Sequence, residues 1–371
     1  MPDYYYIGLM SGTSLDAVDA ALIHIPANGL LQLMTIHSEP IEEKLKTRLL
    51  ALTQPGHNEL DEMGELDMEF GEKLAEAVLN LLKKTDIKKQ HIRAIGSHGQ
   101  TIRHRPQARY PFTLQIGSPN VIALKTGIQT IANFRPNDMV LGGQGAPLTP
   151  AFHNALWRTP HEDRWIVNIG GIANLTFLSK NPKNAVFGFD SGPGNCLMDL
   201  WAQKHLKKPY DAHGEWATKG RMNKHLLEKC LKDPYFHQSP PKSTGREYFS
   251  RLWIDQVLDQ LKEKIEAVDI QATLLELTAI TIAQAAASHP GPLYVCGGGA
   301  RNTQLMKRLE ALSQKPLFTT EKLGLNPDWV EAAAFAWLAH QALENRPGNL
   351  PTVTGARCDT LLGAIYPAPL I

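Results

Sequence analysis

The stretch "YYYIGLMSGTSLDAVDAALIHI", residues 4–25, decides how the rest of the chain is read. Its two ends, 4–10 and 17–25, are rich in aromatic and β-branched side chains and predict two strands. A tight hairpin ordinarily turns on Asn-Gly or Asp-Gly. Here residues 11–16 read Ser-Gly-Thr-Ser-Leu-Asp, longer and crowded with hydrogen-bonding groups. Backbone N–H groups and hydroxyls converging on one point suit a phosphate chain. A carboxylate at Asp16 suits a hydrated magnesium ion, which prefers carboxylate, water and phosphate oxygens. The same residues would also suit a plain hairpin whose Ser and Thr satisfy their own backbone. This is not a Walker loop, because no Gly-Lys-Ser/Thr follows and the next element is a strand.

Outward from that hairpin, helical periodicity alternates with short apolar runs that end in glycines. Residues 65–83 place Leu66, Phe70, Leu74, Ala77, Val78, Leu81 and Leu82 on one helical face. Similar periodicity predicts helices near 246–265, 271–288, 302–312 and 327–344. Between them lie "IRAIGSHG", "WIVNIGGIANLTFL", "AVFGFDSGPG" and "PLYVCGGGA", the pattern of α/β sheets whose ligands bind at strand ends. The hairpin pattern recurs at 165–179 with "NIGGIAN" at its turn, so the chain reads as two similar domains flanking a cleft. The Pro/Gly-rich 135–150 is the expected crossover, giving an N-terminal lobe at 1–137, completed by the C-terminal segment, and a C-terminal lobe at 138–371. The polar, Pro-rich stretch 232–243 predicts a surface loop or flap.

Composition narrows the class. The chain has 371 residues, 38 basic against 37 acidic, and a net charge of +1, which provides no global field for nucleic acid or an anionic membrane. Cys196, Cys230, Cys296 and Cys358 form no Cys-x-x-Cys pair, so neither a disulfide framework nor a zinc ribbon is expected. Asp3 stands where the basic region of a secretory leader would sit, and no apolar run is long enough for a membrane span. The expectation is a cytoplasmic protein acting on a small molecule, with no nucleic-acid or membrane partner.

Further stretches could carry chemistry. "FGFDSGPGN", 187–195, sets Asp190 at a strand tip, where a carboxylate accepts a proton from a nucleophile. The amides around Gly192 and Gly194 could bind phosphate, or Asp190 could simply cap the turn. In "YVCGGGARN", Gly297, Gly298 and Gly299 would let a ligand lie directly on the backbone, or form a loose strand–helix connection. "GSHGQTIRH" brings His98 and Gln100 after a strand; they suit a polar pocket better than a metal. Arg135 and His98 are substrate contacts on chemistry alone. Glu331 sits on an otherwise apolar helix, at its solvent edge or facing a cleft.

Taken together, "GLMSGTSLDAVD", "GSHGQT", "GGQGAPL", "NIGGIAN", "FDSGPGN" and "GGGARN" resemble, in order and over essentially the whole chain, the blocks of the anhydro-N-acetylmuramic acid kinases. The chain departs from that pattern at Ala17, where Gly is usual, and at Ser191, where Thr is common. The resemblance implies two actin-like ATPase (ribonuclease H-like) domains with ATP and Mg²⁺ in the cleft between them, and a homodimer. It implies phosphorylation of 1,6-anhydro-N-acetylmuramic acid at O6 with hydrolytic opening of the anhydro bridge, a step of peptidoglycan recycling. By the same resemblance Asp190 is the base. Gly12, Thr13, Ser14, Leu15, Asp16, Ala17, Val18 and Asp19 form the phosphate and metal turn, with Asp16 as the metal ligand. Gly170, Gly171, Gly192 and Gly194 form a second phosphate turn, and Gly297 to Ala300 hold the adenosine side. His98, Gln100, Arg135 and Glu331 are the expected sugar contacts. A kinase of an ordinary sugar hydroxyl and a non-catalytic ATP-gated binding protein are the alternatives.

Overall fold

The computed structural model describes residues 4–12, 15–26, 31–261 and 263–369. Along the chain run strands β1 (Tyr4–Ser11), β2 (Ala17–Ile25), β3 (Gln32–Pro40), β4 (Ile92–Ser97), β5 (Gln100–Arg105), β6 (Phe112–Ile116), β7 (Thr130–Ala132), β8 (Arg164–Ile169), β9 (Ile172–Leu178), β10 (Phe187–Pro193), β11 (Leu293–Cys296), β12 (Leu317–Thr319) and β13 (Ala364–Tyr366). The helices are α1 (Glu43–Leu52), α2 (Glu59–Leu82), α3 (Pro119–Thr126), α4 (Pro136–Val140), α5 (Thr149–Trp157), α6 (Cys196–Leu206), α7 (Lys224–Leu231), α8 (Arg251–Asp259), α9 (Ala267–Ala286), α10 (Thr303–Ser313), α11 (Val330–Leu343) and α12 (Pro351–Thr354).

The chain divides into two compact units, residues 1–156 with 329–371, and residues 157–328. The division falls after residue 156, whereas the sequence expectation placed it after 137. Tertiary bonds tie the intervening segment to the first unit. Asp138 is fully buried, and its carboxylate accepts from Asn349 Nδ2 at 2.8 Å, Thr354 Oγ1 at 2.6 Å and the Gly145 amide at 2.8 Å. A buried carboxylate satisfied this way cannot be separated from its donors without a large desolvation cost.

In the first unit the sheet order is β13-β7-β4-β1-β2-β3; in the second it is β10-β9-β8-β11-β12. Each unit opens with an antiparallel meander, β1-β2-β3 or β8-β9-β10. Parallel strands then add on the other side of the first strand, β4 and β7 in one unit, β11 and β12 in the other. The shared order is that of the ribonuclease H-like core, so the repeat read from two hairpins extends to whole sheets. The 65–83 periodicity corresponds to α2, and Leu66, Phe70, Leu74, Ala77, Val78 and Leu81 are buried in the first unit's core beside Ile7, Leu9 and Leu22. In the second unit Val167, Leu175 and Val295 pack with Leu274, Leu277 and Ile282 of α9.

Candidate functional site

In the first unit, the β1–β2 turn is set by packing on one side and charge on the other. Leu15 takes φ +53°, its amide bonds the Gly12 carbonyl at 3.1 Å, and its side chain is fully buried in the core. Val18 is fully buried as well. Both side chains therefore anchor the turn, and any part these two residues play toward a ligand falls to their main chain. Thr13 and Ser14 lie outside the described residues. Ser11 is buried and donates from Oγ to Gln100 Oε1 at 2.5 Å, so Gln100 braces β1 from the start of β5.

Asp16 has its side chain about half exposed, and Lys46 of α1 donates to its Oδ1 at 2.5 Å. Its carbonyl accepts from the Ile41 amide at 3.0 Å, which fixes the main chain. Asp19, further along β2, accepts from Ser38 Oγ at 2.8 Å. Ala17 is half-buried at the start of β2. Magnesium asks for few protein oxygens when phosphates and waters complete its shell. Among the described residues no group of three or more His, Cys, Asp or Glu side chains could hold a metal. A solvent-reachable carboxylate with one oxygen held by Lys46 fits the hydrated ion. Lys46 escaped the sequence reading, since nothing local distinguishes it from other lysines of an amphipathic helix.

His98 and Arg135 come together, whereas Gln100 is held by Ser11. Arg135 donates from Nη2 to His98 Nε2 at 2.8 Å and from Nη1 to the Gly145 carbonyl at 2.7 Å. A guanidinium can only donate, so Nε2 is an acceptor and the proton sits on Nδ1, which donates to the Gly99 carbonyl at 2.8 Å. Burial, and then the Arg135 charge, pushes His98 down to about 3. His98 is a neutral ring with both nitrogens engaged, and the space beside it within this unit, about 10 Å³, admits no more than a water. It positions Arg135. Glu331 occupies the first turn of α11, half-buried.

In the second unit Asp190 lies in the middle of β10 rather than at its tip, because Gly192 and Pro193 continue the pairing with β9, and it is 8% exposed. The 232–243 stretch, expected as a surface loop or flap, is largely exposed and lies against β10 through Tyr235 and Lys242. Tyr235 is buried, and its hydroxyl donates to the Asp190 carbonyl at 2.7 Å. The Asp190 amide donates to the Lys242 carbonyl at 3.1 Å, and the Thr244 amide donates to Asp190 Oδ2 at 2.9 Å. The stretch is drawn inward by Tyr235, Phe236 and Phe249, whose rings pack at 5.5 to 6.1 Å between centroids. The Tyr-Phe pair inside a Pro-rich segment was the available signal. Burial, and then the Asp190 charge, pushes the Tyr235 hydroxyl well above its ordinary value, so it remains a donor.

The glycine turns divide sharply by role. The amides of Gly194, Asn195 and Cys196 bond the carbonyls of Gly171, Gly170 and Gly171 at 2.9, 2.8 and 3.1 Å. These three amides are thus committed internally. A Cβ at Gly194 would come within 2.3 Å of the Gly170 carbonyl, so this glycine serves the packing of the two turns. The N–H groups of Gly170 and Gly171, half-buried, remain the donors this turn offers. After β11, Gly297 has φ +78° and a Cβ there would meet Asn168 Oδ1 at 2.4 Å; one at Gly299 would meet Ile169 Cγ2 at 2.3 Å. Gly298 alone of the three is exposed, with its nearest neighbour at 3.9 Å. Ala300 closes the turn, its amide bonding the Gly297 carbonyl at 3.0 Å.

A family model described as anhydro-N-acetylmuramic acid kinase matches residues 4–368. The anhydro-N-acetylmuramic acid kinase of Coxiella burnetii is 53% identical over 99% of this chain and 98% of its own. That of Shewanella pealeana is 49% identical over 99% and 100%. Among solved structures, the activator of 2-hydroxyisocaproyl-CoA dehydratase from Clostridium difficile, with bound ADPNP, aligns at 14% identity and TM-score 0.45 over 92% of this chain and 96% of its own.

Proposed function

The chain belongs to the anhydro-N-acetylmuramic acid kinase family, and on that premise we propose that it uses ATP to phosphorylate O6 of 1,6-anhydro-N-acetylmuramic acid while water opens the anhydro bridge. The products are N-acetylmuramic acid 6-phosphate and ADP, and the setting is cytoplasmic peptidoglycan recycling. The observation that carries the mechanism is the hold on Asp190, a buried carboxylate within β10 that is bonded through its amide, its carbonyl and Oδ2.

In the anhydro ring O6 bears no proton, so a base has nothing to remove from it. Asp190 takes the proton from a water instead. That water bonds to C1, the C1–O6 bond breaks, and the electron pair left on O6 attacks the γ-phosphorus as ADP departs. The Thr244 amide on Oδ2 fixes the carboxylate's orientation, and a positioned general base is worth about 10²–10⁴ in rate. Gly12, the Gly170–Gly171 amides and Gly298 are the backbone positions assigned to the nucleotide. Asp16 would hold Mg²⁺ through water, and the ion's chemistry there is neutralisation of phosphate charge. Arg135, fixed by His98, is assigned to the sugar's anionic group, and Glu331 remains a candidate sugar contact.

Running the reaction in ¹⁸O-labelled water tests this reading. Label is expected on C1 of the product and none in its phosphate. Label in phosphate would mean water attacks phosphorus, which is plain ATP hydrolysis. Label in neither would mean transfer to an existing hydroxyl by an ordinary sugar kinase.

A further inference from the structure

A cavity of about 200 Å³ in the second unit has no role in the mechanism above. It lies between β10, α9 and the 236–242 segment, and Phe189, Ser191, Phe236, Lys242, Thr281 and Gln284 are among its walls. Phe189 and Ser191 line it while Asp190 between them does not, so it opens on the side of β10 away from that carboxylate. No acidic side chain lines it. Its one cation, Lys242, makes no ion pair among the described residues; Nζ reaches only the Tyr235 carbonyl, at 3.2 Å. The ammonium stands 4.8 Å from the Tyr235 ring centroid and 5.9 Å from that of Phe189. Burial pushes Lys242 below its ordinary value, and the attraction of Asp190 offsets this only in part. A half-buried ammonium bonded to a neutral carbonyl gains most from an anion. The rings of Phe189 and Phe236 favour an apolar body on that anion, and the Gln284 amide adds a polar contact.

We propose that this cavity binds a small organic carboxylate, its charged end on Lys242 Nζ and its apolar or ring portion against Phe189 and Phe236. The occupant is adjacent to the hold on Asp190, because the Lys242 carbonyl accepts the Asp190 amide and the Tyr235 hydroxyl donates to the Asp190 carbonyl. The occupant is a metabolite separate from the acceptor sugar, whose anionic group is assigned to Arg135 and whose reacting carbon is served by Asp190 from the other side of β10.

The test is ¹⁹F NMR titration of the full-length protein with 4-fluorobenzoate, with the neutral 4-fluorobenzyl alcohol as the control. Saturable binding of the acid is expected, at least about tenfold tighter than the alcohol. Lys242→Met is expected to weaken the acid at least about tenfold, Lys242→Arg to retain it within about threefold, and Gln284→Leu to weaken it while leaving Lys242 in place. Absence of binding at millimolar acid overturns the proposal, as does equal binding by folded Lys242→Met. Equal affinity for acid and alcohol overturns it too. Displacement by neither the lactyl-bearing anhydro-sugar nor 1,6-anhydro-N-acetylglucosamine is expected of a separate ligand, and displacement by the lactyl-bearing sugar alone would put the acceptor's own carboxylate in the cavity and overturn that reading. Binding is read without turnover, so failure of the kinase reading would leave this result standing.

Discussion

The β1–β2 turn of the first unit and the β8–β9 turn of the second occupy the same place in the same strand order, yet they offer a ligand different things. The first ends in a carboxylate, Asp16, tethered by Lys46. The second is Gly170-Gly171, with no side chain at all, and its carbonyls are taken by the amides that start α6. One turn contributes charge from a side chain and the other contributes only N–H groups. A shared fold therefore fixes where a turn sits without fixing its chemistry.

The comparison breaks most visibly at Asp190, which belongs to the glycine-turn unit and supplies the charge its turn lacks. Asp190→Asn is expected to lower kcat by about 10²–10⁴ while nucleotide and sugar dissociation constants stay within a few fold. Calorimetric binding beside steady-state kinetics checks this, and a kcat near wild type would remove Asp190 from the chemistry. Asp16→Asn in the other unit is expected to do less, about 10–100-fold, with part of the loss recovered as Mg²⁺ is raised. A loss that no magnesium concentration moves would assign Asp16 to structure.

Among the glycines of the second unit, Gly297→Ala is expected to cost about 1–3 kcal/mol in urea unfolding, since the new methyl group meets Asn168 at 2.4 Å and φ is +78°. Gly298→Ala is expected to stay within about 0.5 kcal/mol and to act on the KM for ATP instead. Reversal of that pair would exclude Gly298 as the open position.

The two units also differ in acid sensitivity. His98 and His153, pushed down to about 3, and His104, to about 4, all belong to the first unit, and burial is the leading cause in each. Their folded values lie below the ordinary value near 6.5, so between those limits the unfolded chain binds more protons. Their contribution is complete above about pH 6.5 and falls as pH drops toward 3–4. In the second unit His205 is lowered too, but it is exposed. Hydrogen exchange at pH 4.5 against pH 7, corrected for intrinsic rates, is expected to loosen β4 and α5 before β8 and β11. A small effect is also expected at Lys46→Met, about 0–1 kcal/mol in stability, because the Asp16 side chain of that pair is 49% exposed.

How much of this was legible varies by element for a consistent reason. The face of α2 was readable because its burial repeats every three to four residues and needs no partner to be counted. The helix expected over 246–265 is shorter, Arg251–Asp259, because Phe249 is drawn fully into the core and Ser250 caps the following turn, its Oγ accepting from the Trp253 amide at 3.4 Å. The glycine blocks were legible as blocks. Which glycine faces open space was not, since Gly297, Gly298 and Gly299 look alike until Asn168 and Ile169 stand beside them.

By itself the sequence determined the two hairpins, the α/β alternation and the family resemblance, all of which are carried by patterns within a few tens of residues. Only the tertiary structure decided that 232–243 lies against β10, that Leu15 and Val18 are core, and that His98 is neutral. Those facts rest on contacts between distant positions, 54 residues for Thr244 to Asp190 and 37 for Arg135 to His98. A side chain's polarity leaves its partner unspecified; the partner, and with it the protonation state and the role, is chosen when packing removes water and only one donor remains in reach.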